Sequence, residues 1–279
     1  MLPVGALDDG YGRFVTPLGL PLVGGAFTFG IGMQLAGACG SGCLVATGQG
    51  SRRIWVALPL FCLGGVAGTV LVPAAFRLPS LGAIDLPEMP GPWLGLAATE
   101  ALLLVLALAV LRGARPPRGR MLAAAIIGGL AGCVFLASGS PWGITYGLTL
   151  WGTKALSAAG LDLSRLEFWA DPGARQLLDG PVFALHGALT DAAILVGALL
   201  AAALRGTLRH ARPLPWPDLA QAALGGLLMG IGARLSTGCN IGAFVGGAAS
   251  GSLHGIVWLA AAIAGSVPGL RLRTRLTPP

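Results

Sequence analysis

Long charge-free stretches alternate with short polar ones along this chain, and the long ones set its architecture. A helix needs about 20 predominantly apolar residues to cross a bilayer. Seven stretches approach that length: 18–38, 54–73, 92–111, 121–137, 182–204, 218–236 and 254–270. The pattern predicts an all-α polytopic membrane protein with about seven transmembrane helices. A transmembrane barrel would instead alternate apolar and polar residues over about ten positions per strand.

Composition agrees with this reading. Of 279 residues, 54% are hydrophobic and only 10% charged, and the mean hydropathy is +0.78. That profile excludes an ordinary soluble domain. Forty-six glycines and 6% aromatics point to closely packed helices.

The positive charge marks topology. Arg112, Arg115, Arg118 and Arg120 crowd one loop, Arg205, Arg209 and Arg212 another, and Arg271, Arg273 and Arg275 the tail, with Arg52 and Arg53 joining that side. The positive-inside bias places them in the cytoplasm. Most acids (Asp85, Glu88, Asp162, Glu167, Asp171, Asp179) fall in loops assigned to the opposite face. Because the arginines flank spans and form no soluble basic face, the net charge of +7 does not predict nucleic-acid binding.

Two motifs 200 positions apart carry the candidate chemistry. "GIGMQLAGACGSGC" (30–43) and "GIGARLSTGCNIGA" (230–243) share Gly30/Gly230, Ile31/Ile231, Gly32/Gly232, Leu35/Leu235, Cys39/Cys239 and Gly42/Gly242. With the orientation above, 18–38 runs inward to Cys39 and 218–236 runs outward to Cys239. An inverted pseudo-twofold repeat follows, with the substrate path where the halves meet and each motif serving one side of it.

Gly37, Gly40 and Gly42 in the first motif, and Gly238, Asn240 and Gly242 in the second, argue against plain lipid-facing helices. Irregular backbone at membrane depth must be buried in protein or line a cavity. Short re-entrant helices would aim N–H groups into that cavity and favour an anion. Close helix packing through small residues is the competing explanation.

Five cysteines occur, at 39, 43, 62, 133 and 239, and their odd number inside apolar segments predicts free thiols. Cys62 and Cys133 read as small core residues. With no C-x-x-C and no histidine pair, zinc is not expected, and no cofactor is called for. Arg234, five residues before Cys239, could neutralise an anion or snorkel to the interface. Lys154 could attract substrate or be a solvated loop charge. His186 and Asp191 share one span, and an ionisable residue there is a functional candidate. His254 and Trp258 lie at i, i+4 on one helix face, and Glu100 interrupts the third span.

"LAGACGSGCLVATGQGS", "SPWGITYGLTLWGTK" and "STGCNIGAFVGGAASGSLHGIVWL" together resemble the YeeE/YedE family of sulfur-compound transporters, over about Leu18 to Arg275. The resemblance implies an hourglass-shaped, all-helical inner-membrane protein that takes up thiosulfate and performs no enzymatic chemistry. It makes Cys39 and Cys239 the path cysteines and implies a cytoplasmic sulfur-carrier or sulfurtransferase partner. The chain is then a single membrane transport domain, 1–279, with a first repeat at 18–111 and a second at 121–275. Subtracting 200 from 121 gives a position before Met1, so the first repeat is expected to lack its opening part and the family's first path cysteine.

A neutral thiol is a weak donor on a polarizable atom, suited to passing a sulfur-bearing dianion without trapping it. Alternatives from the residues alone are a selenium-compound transporter, a soft-metal transporter using Cys39, Cys43 and Cys239, or a membrane thiol–disulfide oxidoreductase using Cys39 and Cys43.

Overall fold

The computed structural model describes residues 11–86, 92–114, 116–208 and 214–276. Glu88, Arg115, Arg209 and Arg212, used above for orientation, lie outside them. Helices form at all seven expected segments: α1 (Leu20–Ala36), α3 (Arg52–Ala75), α4 (Pro92–Leu111), α5 (Arg118–Ser138), α8 (His186–Leu204), α9 (Trp216–Leu235) and α11 (His254–Leu276). Between them lie the shorter α2 (Gly40–Gly48), α6 (Thr145–Ala158), α7 (Pro172–Asp179) and α10 (Gly247–Ala249). A π-helical segment, Asn240–Gly246, leads into α10.

Among the described residues, six helical stretches are long and apolar enough to cross a membrane, two of them, Leu20–Gly48 and Trp216–Ala249, taking in a break and the short helix after it. The chain is an all-α, multi-pass membrane protein. Relative to the expected seven spans, the difference lies in α4, whose apolar stretch Trp93–Ala109 is shorter. Within α5 no residue is buried, and Leu122, Ile126, Ile127 and Leu130 face outward, as suits a helix solvated by acyl chains. Glu100 is likewise exposed on α4.

Glycine seams hold the centre together. On α1, a methyl group added to Gly25 would lie 2.7 Å from the Gly232 carbonyl, and one added to Gly32 would lie 2.6 Å from that of Gly225. The two helices therefore run antiparallel with their backbones nearly touching. Ala57 and Leu227 meet glycines 226 and 64 across α3 and α9, which run parallel. Phe27 and Ile31 meet glycines 265 and 269 across α1 and α11, also parallel. A shift of 200 residues carries the α1–α9 contacts onto themselves and the α3–α9 seam onto that of α1 with α11. In lipid, where apolar side chains gain little by leaving their solvent, close backbone approach supplies the dispersion energy that associates helices.

Outside this four-helix centre, α6 packs on α3, with Gly65 beside Thr149 and Gly152 beside the Cys62 carbonyl. In turn α6 meets α8 where Gly147 abuts Ala188 and Asp191, and α8 meets α2 where Gly48 abuts Leu195 and Leu199.

Polar contacts close both ends of the bundle. At one, Arg53 donates to Asp218 at 2.8 Å and to the last carbonyls of α1, Leu35 at 2.6 Å and Ala36 at 3.0 Å. Arg273 reaches the Gln34 carbonyl at 3.3 Å from α11. The sequence placed Arg52, Arg53 and the Arg271–Arg275 run on one side, and Arg53 and Arg273 converge there. At the other end Arg13 pairs with Asp85, the backbones of Asp85 and Ser252 form an isolated antiparallel bridge, and the Thr16 and Thr237 hydroxyls hydrogen-bond at 3.3 Å.

Candidate functional site at the meeting of two broken helices

Both duplicated motifs interrupt a helix in the same way. The α1 helix stops at Gly37, whose φ of +84° is left-handed, with its N–H on the Met33 carbonyl at 2.9 Å. Glycine suits that conformation because it has no Cβ to clash. Two hundred residues later the equivalent residue is Thr237, held at φ +61° although β-branched. Such a residue is strained there and persists because its surroundings over-determine it. Its hydroxyl bonds to the Ser236 carbonyl at 2.7 Å and pairs with Thr16.

After each break the chain turns into a short helix with a cysteine at its head. Cys39 takes the capping position of α2, where its Sγ accepts the Gly42 N–H at 3.4 Å and lies 3.5 Å from the Ser41 hydroxyl. A thiol thus stands where Ser or Asp commonly caps. Cys239, 1% exposed, heads the π-helical segment, and its carbonyl accepts from Ala243 at 2.8 Å and Phe244 at 3.3 Å.

These two heads meet inside the protein. A methyl group on Gly40 would lie 3.5 Å from the Cys239 Sγ and 3.3 Å from the Phe61 ring, well along α3 from its first turn. From there α2 runs out to the Arg53 end, and the π-helical segment and α10 run out to the Ser252 end. The sequence had the two motifs serving either side of one shared path, and the structure brings their cysteine heads to one interior locus, because each break folds its short helix back into the bundle. The N-terminal end of α2 and its free N–H groups point there, a favourable setting for negative charge.

The glycines around the thiols are there for space. At Gly42 an added methyl would sit 3.4 Å from the Cys39 Sγ, and at Gly238 one would sit 2.5 Å from the Ala243 nitrogen. Gly242 opens toward Gly143, its nearest neighbour at 4.0 Å. The "SPWG" loop thereby comes beside the second motif, and Trp142 in it donates to Thr190 at 3.2 Å. Asn240 keeps its Oδ1 buried without a partner.

The sequence assigned Cys43 only to the soft-metal and oxidoreductase alternatives and Cys62 only to the core. Cys43, fully buried, lies within electrostatic range of Cys39, Cys62 and Cys239, so four thiols converge from α2, α3 and the second break. Cys62 is buried beside α6, as expected of a core residue, and is also within range of Asp191; Cys133, expected in the core as well, is instead exposed, because α5 buries none of its residues. Asp191 is fully buried with both carboxylate oxygens unpartnered. His186 bonds Ser140 at 3.4 Å, on the loop before α6. All five thiols are free, as expected, and among the described residues no group of three His, Cys, Asp or Glu could hold a metal.

The two candidate cations differ in their commitments. Arg234 donates to the Thr69 hydroxyl at 3.2 Å, and its guanidinium carbon lies 4.5 Å from the centre of the Phe168 ring and 5.1 Å from that of Tyr146. Aromatic faces hold it without neutralising it, and among the described residues no carboxylate pairs with it. Lys154 donates to the Leu178 and Gly180 carbonyls, capping the end of α7. His254 is buried, its Nδ1 2.7 Å from the Ser252 hydroxyl, and Trp258 donates to the Ser236 hydroxyl at 2.9 Å, closing the second break from behind.

Comparison with known proteins places these features in a family. A family model described as sulphur transport matches residues 10–267. The thiosulfate transporter TsuA of Spirochaeta thermophila is 29% identical over 269 residues, covering 88% of this chain and 76% of its own. The probable transporter YedE of Escherichia coli is 31% identical over 138 residues, covering 49% of this chain and 33% of its own. A YedE from Salmonella typhimurium matches over the same length at the same identity. The match along nearly the whole chain, with a thiol-lined meeting of broken helices inside a multi-pass bundle, shows that the protein belongs to the sulphur transport family.

Proposed function

We propose that this protein takes up thiosulfate, or a closely related sulfur-containing anion, across the inner membrane through the locus where α2 meets the π-helical segment. The observation that carries the reading is the approach of Gly40 to the Cys239 Sγ, which joins the two cysteine heads in one interior path. Cys39 and Cys239 act there as successive weak S–H donors. Neutral thiols attract the dianion's oxygens and sulfur without the desolvation cost of a buried permanent charge. Weak donors in series also permit release, which conduction requires as much as binding.

Gly37, Gly40, Gly42 and Gly238 let the two breaks pack closely around the thiols, Gly242 leaves room for the anion, and Asn240 offers an amide beside it. Arg234, charged and unneutralised, draws the anion toward the Thr16–Thr237 end. Residues 18–111 and 121–275 act as two inverted halves around this path, which the self-mapping contacts of α1 with α9 support. No covalent step is involved. Once inside, the anion passes to a cytoplasmic sulfur-carrier or sulfurtransferase protein, which keeps its free concentration low.

The test is growth of a sulfur-auxotrophic host on thiosulfate as sole sulfur source, with and without this chain, alongside uptake of 35S-labelled thiosulfate by the same cells. Uptake that depends on the chain and fails in both C39A and C239A is expected. Absent uptake with the protein present in the membrane would reject the reading.

A further inference from the structure

The polar side chain that the path does not explain is Asp191. It sits one turn into α8, fully buried, and both carboxylate oxygens lack a partner. Its Oδ2 lies so close to the α6 backbone that a methyl group on Gly147 would be 2.4 Å away. Glycine at 147 is what allows the carboxyl to reach that depth.

No cation answers it. Among the described residues, no lysine, arginine or histidine hydrogen-bonds either carboxylate oxygen. On its own helix, His186 is turned to Ser140. From α6, Lys154 is committed to α7, and Tyr146 lies under Arg234. The titratable residue of α2 is Cys43, and the segment Val182–Ala184 brings none. Two thiols lie within electrostatic range of Asp191, Cys62 on α3 and Cys239 on the path itself.

An ionised carboxylate with no partner in a low-dielectric interior is strongly disfavoured, and it would also repel an anion passing Cys239. A proton relieves both penalties at once. We propose that Asp191 is the proton-binding site of the transport cycle, so that each passage of the sulfur anion past Cys239 is accompanied by a proton carried on Asp191. This rests on the reading of the chain as a sulfur-anion transporter. Linkage makes the effect reciprocal: a proton on Asp191 raises affinity for the anion, and the bound anion raises affinity for the proton by the same factor. An inward pH difference then favours uptake, while the one negative charge left on the proton–dianion pair moves against a negative-inside potential. Because the protonated form is the competent one, uptake is fullest at low pH and declines as pH rises through the titration of Asp191, with a limiting slope of about tenfold per pH unit.

The experiment uses the full-length chain reconstituted in liposomes with a trapped pH-sensitive dye, and 35S-thiosulfate is added outside. Wild-type protein is expected to admit label and acidify the lumen together. D191N, neutral but nearly isosteric, is expected to admit label at a rate independent of pH and without acidification. If D191N is not recovered folded, D191E keeps the carboxyl and is expected to retain acidification with a displaced pH profile. Wild-type label influx without acidification overturns the proposal, as does acidification surviving in D191N or an unmoved profile in D191E. Absence of label influx in wild type overturns the transport reading itself, a result distinct from influx without protons.

Discussion

The thiols divide by position. Cys39 and Cys239 head the two broken helices, so alanine at either is expected to reduce thiosulfate uptake at least tenfold while membrane abundance stays near normal, as read by labelled uptake against immunoblots. Cys133 faces outward on α5, and C133A is expected to leave uptake intact and stability within about 0.5 kcal/mol. Lys154 offers a different test, because its ammonium is spent on the last carbonyls around α7. K154M is expected to lower thermal stability in detergent by a few degrees and leave the KM for thiosulfate unchanged; a raised KM would return this residue to the path. The duplicated Cys–Gly spacing made residues 39 and 239 legible in the sequence. Cys62 and the isolation of Asp191 were not, because α3, α6 and α8 are brought together by glycine contacts far apart in the chain, and no local pattern encodes them.

Among the elements, helix positions were readable and helix partners were not. Apolar run length located every long helix, but the breaks at Gly37 and Thr237 turn back into the bundle only because Gly40 can lie against Cys239 and Phe61. The seams give a sharp prediction. Valine at Gly232 would drive side-chain atoms into the Gly25 carbonyl, already 2.5 Å from an added Cβ, whereas Gly129 on α5 has nothing within 4 Å. G232V is expected to destabilise by more than about 2 kcal/mol and G129V to have little effect, compared by thermal unfolding in detergent. Arg53 is the corresponding polar device, since one guanidinium satisfies two terminal carbonyls of α1 and pairs with Asp218 on α9. R53M is expected to cost about 1–3 kcal/mol in the same assay by leaving those carbonyls unpaired.

At the scale of the whole molecule, the glycine seams have a mechanical consequence. Where α1, α3, α9 and α11 touch backbone to backbone, interiors resist compression and there is little slack for these four to rock past one another. Large domain swings, with their steep thermal activation, have no hinge in such a block. Motion is left to α2, α6 and α8 at its side and to thiol rotamers, small displacements with low barriers. Turnover of reconstituted protein should then rise only gently on warming, about twofold or less per ten degrees, until the seams themselves melt. The packing that gives the protein its shape would set the pace of its traffic.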